Sequence, residues 1–346
     1  MIKNVTLIFA LFLLFSCDGE YQPRDLKSLE IKEIIMDSTS IRAVHVVNDS
    51  TLYYAGSNGD VGFTQSNGLQ WEVKQFQYQD SIVPHFRSIA SNGKEIYALS
   101  IANPALLYRY TDKTIVYQEE HEKVFYDSMK FANEQLGVAM GDPTDNCISI
   151  LITKDGGDSW TKVPCDRIPV VVEGEAAFAA SNTNIKIIDN IIWIVTGGAK
   201  ARVFKSVDFG DTWEVFDTPI IQGDGPQGIY SVDFAYELNG IVVGGNYSKP
   251  NENKANKAIT TDGGKTWQLV ADGLNPNYKS CVQYVPNTEG KEVFAVGKTG
   301  ISYSMDGGLT WTEVSKEGYY GIQFANKNVA WLYGHQKLGK IVLPNE

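Results

Sequence analysis

One octapeptide constrains this chain more than any other feature. It reads Ser/Thr, any residue, Asp, any residue, Gly, any residue, Thr/Ser, Trp. It recurs around Asp155 and Trp160, Asp208 and Trp213, Asp262 and Trp267, and Asp306 and Trp311. A worn copy ends at Trp71, with Ser66 where the aspartate should stand. An aspartate in a turn accepts hydrogen bonds from backbone N–H groups a few residues on. Glycine supplies positive φ in a tight connection. Tryptophan buries a large face at the start of the next strand. A hairpin accounts for every position, so these residues read as scaffold; an active site normally occurs once.

The spacing sets the size of the repeating unit. Successive motif tryptophans lie 53, 54 and 44 residues apart. Each interval holds four strand-like segments, which is one blade of a propeller. Trp71 and Trp160 are 89 residues apart, and a decayed motif, Thr111-Asp112-Lys113-Thr114, stands between them. After Trp311 come three more strand-like segments, Tyr320–Phe324, Val329–Tyr333 and Gly339–Leu343. Before the first unit, Leu29–Ile35 alternates like a strand but has no blade of its own. The sequence therefore predicts an all-β fold: a seven-bladed β-propeller of four-stranded antiparallel blades, closed by the N-terminal strand completing the C-terminal blade. Closure would remove two open sheet edges. The propeller would occupy residues 29–346.

Residues 1–16 read as a leader, with Lys3 before an apolar run from Val5 to Phe15 that suits a signal sequence better than a membrane span. Leu14-Phe15-Ser16-Cys17 resembles the lipobox of bacterial lipoproteins. That resemblance implies cleavage after Ser16, acylation of Cys17, and an exported protein held at the periplasmic face or at the outer membrane or cell surface. An ordinary secretory signal ending near a cysteine is the alternative. Residues 17–28 read as a lipidated polar tether. Of the other cysteines, Cys147 and Cys165 flank one predicted hairpin and fall almost opposite each other. An exported chain could bridge them, or they could be two buried thiols. Cys281 reads as a core residue.

The octapeptide is identified as the Asp-box of BNR-repeat proteins. Two further stretches narrow the resemblance: Gly174–Asn182 with Thr196–Ser206, and Tyr230–Phe234 with Val243–Pro250. Together with the boxes they resemble the Ycf48/Hcf136 photosystem II assembly factors and their bacterial relatives, some of which are labelled oxidoreductases. The resemblance implies a binding or assembly scaffold. The arginine-rich surface used by the photosystem factors has little counterpart among six arginines, none beyond Arg202. No Gly-x-Gly-x-x-Gly or Cys-x-x-Cys supports a redox role.

A net charge of -11 makes nucleic acid a poor partner and leaves the lipid anchor as the only membrane contact. Four scattered histidines give no metal-ligand spacing, and no cofactor motif is present. The enzymatic alternative is a glycan-processing hydrolase with its site at the channel mouth. It could be sialidase-like, which needs converging arginines, or a paired-carboxylate glycosidase. The leading expectation is a non-catalytic module that engages a protein or glycan. In a propeller the innermost strands line the axial channel, where a charged group needs a reason to be. The candidates there are Arg87, Asp127, Asp142, Glu175, Ser181, Arg202, Tyr230, Asn246 and Tyr247. They would form either a bracing polar network or a ligand site.

Overall fold

A computed structural model describes residues 21–344; residues 1–16 and Cys17 lie outside them. The regular elements described are strands, apart from a three-residue 3-10 turn at Cys165–Arg167. Short apolar runs, each cut off by a Gly, Asn or Asp turn, can do little else than fold back on their neighbours. The result is an all-β propeller. Its innermost strands are Ile31–Val46, Phe86–Ser91, Tyr126–Phe131, Ile185–Ile188, Gln227–Phe234, Cys281–Tyr284 and Gly321–Phe324, and each contacts the next around the axis. The apolar core lies between successive sheets, as in the cluster where Val138 and Ile150 meet Ile192 and Phe204.

The predicted seven separate four-stranded blades do not form. Hydrogen bonding groups the strands into six sheets, four of four strands and two of six. The miscount arises at the chain ends. Ile31–Val46 is one sixteen-residue strand. It pairs with Val329–Val342 through Ile31–Ile35 and with Leu52–Gly56 through Ile41–Val46, across an irregular register between Ile35 and Ser40. It therefore does not complete a separate C-terminal blade; the first and last parts of the propeller merge into one six-stranded sheet. The second six-stranded sheet arises because Glu175–Ala176 and Gly197–Gly198 extend Gln227–Phe234. Gly197 and Gly228 make that junction possible, since a Cβ on Gly228 would meet the Gly197 Cα at 2.3 Å.

Each octapeptide folds as its chemistry requires. In the third copy the Asp262 carboxylate accepts the Thr266 amide at 3.0 Å, the Thr266 hydroxyl at 2.6 Å and the Thr260 hydroxyl at 2.8 Å. The Thr260 oxygen accepts the Gly264 amide at 2.9 Å. Asp155, Asp208 and Asp306 repeat these bonds. The indoles of Trp213, Trp267 and Trp311 donate to the carbonyl of their own box glycine, whereas the Trp160 indole N–H has no partner among the described residues. Cys147 and Cys165 are joined by a disulfide, their Cα atoms 5.5 Å apart, and Cys281 is a buried thiol.

The segment before the first strand is not loose. Arg24 is buried, and its Nη1 lies 2.6 Å from the buried Glu292 carboxylate. Arg24 also donates to the Pro344 carbonyl and the Asn328 side chain, and Leu26 joins the core. A polar composition hid this latch, because Glu292, Asn328 and Pro344, the three partners of the Arg24 side chain, lie at the far end of the chain.

Burial alone would raise the Asp262 carboxyl, but the Thr266 hydroxyl and amide, followed by Thr260 and Lys265, hold it down at about 2. Because its folded value is depressed, the stability it contributes is present above about pH 4 and is lost as pH falls through about 2. Asp262→Ala should cost about 1–2 kcal/mol at pH 7, measured by urea unfolding, and the cost should vanish near pH 2.

Candidate functional site

The axis of the propeller is filled by its own chain. Residues 178–183, which run from the stretch Gly174–Asn182 singled out in the sequence to Thr183 just beyond it, cross the channel and bond to strands all round it. The Asn182 side chain accepts from the Met129 amide at 2.9 Å and the Ser128 hydroxyl at 3.1 Å, and donates to the Ile89 carbonyl at 2.9 Å. Ser181 Oγ donates to the Ser280 carbonyl at 2.6 Å, and its own carbonyl accepts the Tyr333 hydroxyl at 2.7 Å. Thr183 Oγ1 bonds Ser231 at 2.8 Å, and its carbonyl accepts the Val232 amide. Asn182 has φ 57°, a left-handed conformation that asparagine adopts more readily than most residues.

Above this plug lies a cavity of about 400 Å³. Its floor holds two guanidiniums, Arg42 and Arg87, which reach the Ala180 and Ala179 carbonyls at 3.3 Å each. No carboxylate lies within ion-pair distance of either among the described residues. Arg42 rests over the Tyr320 ring at 3.9 Å. One wall is aromatic: Phe178 and Tyr230 stack at 3.9 Å, Tyr278 meets Tyr230 edge-on at 4.9 Å, and the half-exposed Tyr247 completes it. Lys298 stands at the rim, donating to the Tyr247 carbonyl. Opposite lies Asp142, whose carboxylate accepts the Ala177 amide at 2.7 Å. Nearby His85 is pushed to about 4 by burial, then by Arg87 and Arg42, so it adds no charge at neutral pH.

Beneath the cavity Asp127 is fully buried, and neither carboxylate oxygen has a partner among the described residues. Burial, then the Asp142 charge, push this carboxyl well above its usual range, with Arg87 opposing. Burial raises Asp142 to about 6, against the pull of the Ala177 amide. Burial thus favours the neutral form of Asp127, while Asp142 titrates at about 6.

The nine candidates divide by location. Arg87, Asp142, Tyr230 and Tyr247 line the mouth, with Asp127 beneath it and Ser181 in the plug. Glu175 and Arg202 form a brace: Arg202 Nε and Nη2 meet the buried carboxylate at 3.0 and 2.5 Å, and Thr196 and the Val172 amide also donate to it. Asn246 is buried and accepts the Ser248 amide, shaping a turn. Sequence reading missed Arg42, Phe178, Tyr278, Lys298 and Tyr320. Only Arg42, a charge alternating with buried Ile41 and Ala43, carried a usable signal. Among the described residues no group of three His, Cys, Asp or Glu side chains could hold a metal ion.

These features define a β-propeller with Asp-box turns, a plugged axis and one polar-aromatic mouth. The BNR/Asp-box repeat family profile matches residues 258–269, the third box. No curated protein sequence matches the chain. Among solved structures it is similar to Ycf48 bound to a D1 peptide, with TM-score 0.66 and 15% identity over 92% of this chain and 100% of that one. Ycf48 from Cyanidioschyzon merolae gives TM-score 0.63 and 14% identity, over 90% and 98% of the two chains. The RRP9 WD40 repeats give 0.65 and 13%, over 94% and 100%. At these identities the likeness is one of fold.

Two substitutions separate plug from brace. Asn182→Ala strands the Met129 amide and Ile89 carbonyl and should cost about 2–4 kcal/mol in urea unfolding. Arg202→Ala leaves Glu175 buried and unpaired and should cost about 3–5 kcal/mol, with the Tm falling while the mouth keeps its shape.

Proposed function

We propose that this chain is a non-catalytic binding propeller that takes an acidic segment of a protein partner into the arginine-lined mouth. It is exported and held by lipid at Cys17 on an extracytoplasmic membrane face. The observation that carries this reading is the pair Arg42 and Arg87: two cations converge at the floor of an aromatic cavity with no carboxylate paired to either, in a chain whose net charge is -11. An anionic group from outside would complete them with charge-assisted bonds. The aromatic wall offers apolar contact beside it. The solved Ycf48 complex with a D1 peptide supports a protein segment as the ligand class for this fold. A glycan fits less well, because Phe178 and Tyr230 spend one face each on their mutual stack.

The hydrolase alternative finds less support. A paired-carboxylate mechanism needs both groups at the substrate, and Asp127 is sealed beneath the mouth. The plug also leaves no open cleft through the axis.

The test is a photo-crosslinking amino acid in place of Tyr247, used in native membranes with and without Arg42→Ala. A discrete protein adduct should form and fall at least tenfold in the Arg42→Ala protein, whose Tm should stay within a few degrees. An adduct that forms equally well in the Arg42→Ala protein would overturn the reading. Protonating Asp142 below its value of about 6 removes the one anion opposite them. Partner binding should therefore be tighter at pH 5 than at pH 7.5, and Asp142→Asn should flatten that dependence in a titration.

A further inference from the structure

We infer that the N-terminal latch mounts the propeller on the bilayer by its Asp-box face, so that the arginine-lined mouth opens away from the membrane. This rests on lipid attachment at Cys17, part of the reading above. The direction of the innermost strands supplies the geometry. Ser280 lines the mouth, and the chain runs from there along Cys281–Tyr284 to the opposite end of the axis. There Tyr284 lines a recess with Tyr236, Asp306 and Leu309, beside the last Asp-box. The same end receives the N-terminal segment. Lys291 Nζ donates to the Tyr21 carbonyl at 2.9 Å, and the Lys291 carbonyl accepts the amide of Gly307, inside that box. Arg24 is clamped on Glu292 next door.

Chain length does the rest. Four residue steps separate Cys17 from Tyr21, which at full extension is about 14 Å. A chain acylated at Cys17 therefore places its lipid close to the Asp-box face, and the mouth lies a full strand length beyond. The twelve-residue tether read from the sequence would have allowed either face to approach; the latch removes that freedom. The surface beside it suits a lipid interface. Tyr236, Leu238, Met305 and Leu309 are 54, 57, 44 and 51% exposed, and Tyr236 and Leu309 line one recess with Gly290. Apolar side chains of this kind settle into the headgroup boundary when an anchor holds them there.

The experiment uses full-length protein purified from membranes and reconstituted in phosphatidylcholine vesicles carrying a nitroxide-headgroup lipid. A fluorescent label is placed at Leu309→Cys, on the Asp-box face, or at Lys249→Cys, near the mouth; Cys281 is buried and does not compete. The label at 309 should be quenched several-fold more than the label at 249. A flexible insertion of ~20 Gly/Ser residues between Glu20 and Tyr21, with an r.m.s. reach of roughly 25 Å, should equalise the two without changing the Tm. Equal quenching in the uninserted protein, or stronger quenching at 249, would overturn the orientation. Mass analysis of the N-terminal peptide separates the two failures. An acylated Cys17 with equal quenching sinks the orientation alone, whereas an unmodified Cys17 sinks the lipid-anchored reading and the orientation with it.

Discussion

A propeller brings the innermost strands of all its sheets to one axis, where they sit too far apart to hydrogen-bond across it and too close for the space to be bulk water. Polar backbone and side-chain groups facing that axis must be satisfied by something. Here the chain supplies it with a short crossing segment, 178–183, whose serine, asparagine and threonine side chains and backbone carbonyls reach strands on every side. Much of the functional geometry follows from that crossing. It seals one end of the axis from the other, provides the carbonyls that hold Arg42 and Arg87, and carries Phe178 into the aromatic wall.

At the other end of the axis a second set of side chains ties neighbouring strands together. Asp233 accepts the Tyr284 amide and pairs with Lys186, Gln283 accepts the Phe324 amide, and Gln323 accepts the Val46 amide. Both ends are therefore polar, but they differ in what is left over. The lower ring pairs Lys186 with Asp233, and its Lys130 is a single cation with no carboxylate within ion-pair distance among the described residues. The mouth keeps two guanidiniums without a carboxylate and a carboxyl at Asp142 that titrates near neutrality. That imbalance, more than the cavity's size, marks it as the place where a ligand would be held.

The fold was legible because its information is local and repeated. Four Asp-boxes each state a turn, a glycine and a tryptophan packed against the core within eight residues, and the alternating strands between them follow. The number of sheets was not legible, because whether Ile31–Val46 belongs to the last sheet or joins it to the first depends on pairing across three hundred residues. The latch at Arg24 escaped for the same reason. The mouth was half legible. Arg87, Asp142, Tyr230 and Tyr247 stood out as polar or aromatic residues at strand entries, whereas Tyr278, Lys298 and Tyr320 come from loops whose placement only the closed ring decides. Glu175 and Arg202 drew attention through their family-like surroundings, yet their bond to each other is structural. Asp127 lies at the right depth, but it is buried beneath the mouth, where the Asp142 charge helps to raise its carboxyl.

The plugged axis is the feature on which the rest of the architecture turns, and native-state hydrogen exchange tests it directly. The amides of Met129 and Val232 donate only to the crossing segment, to the Asn182 side chain and the Thr183 carbonyl. If the plug is an integral part of the core, both should exchange only by global unfolding, with an exchange free energy equal to that from urea unfolding and falling with urea at the same slope. Exchange at either amide through a local opening insensitive to urea would mean that the segment swings free of the channel, and the sealed mouth described here would not exist.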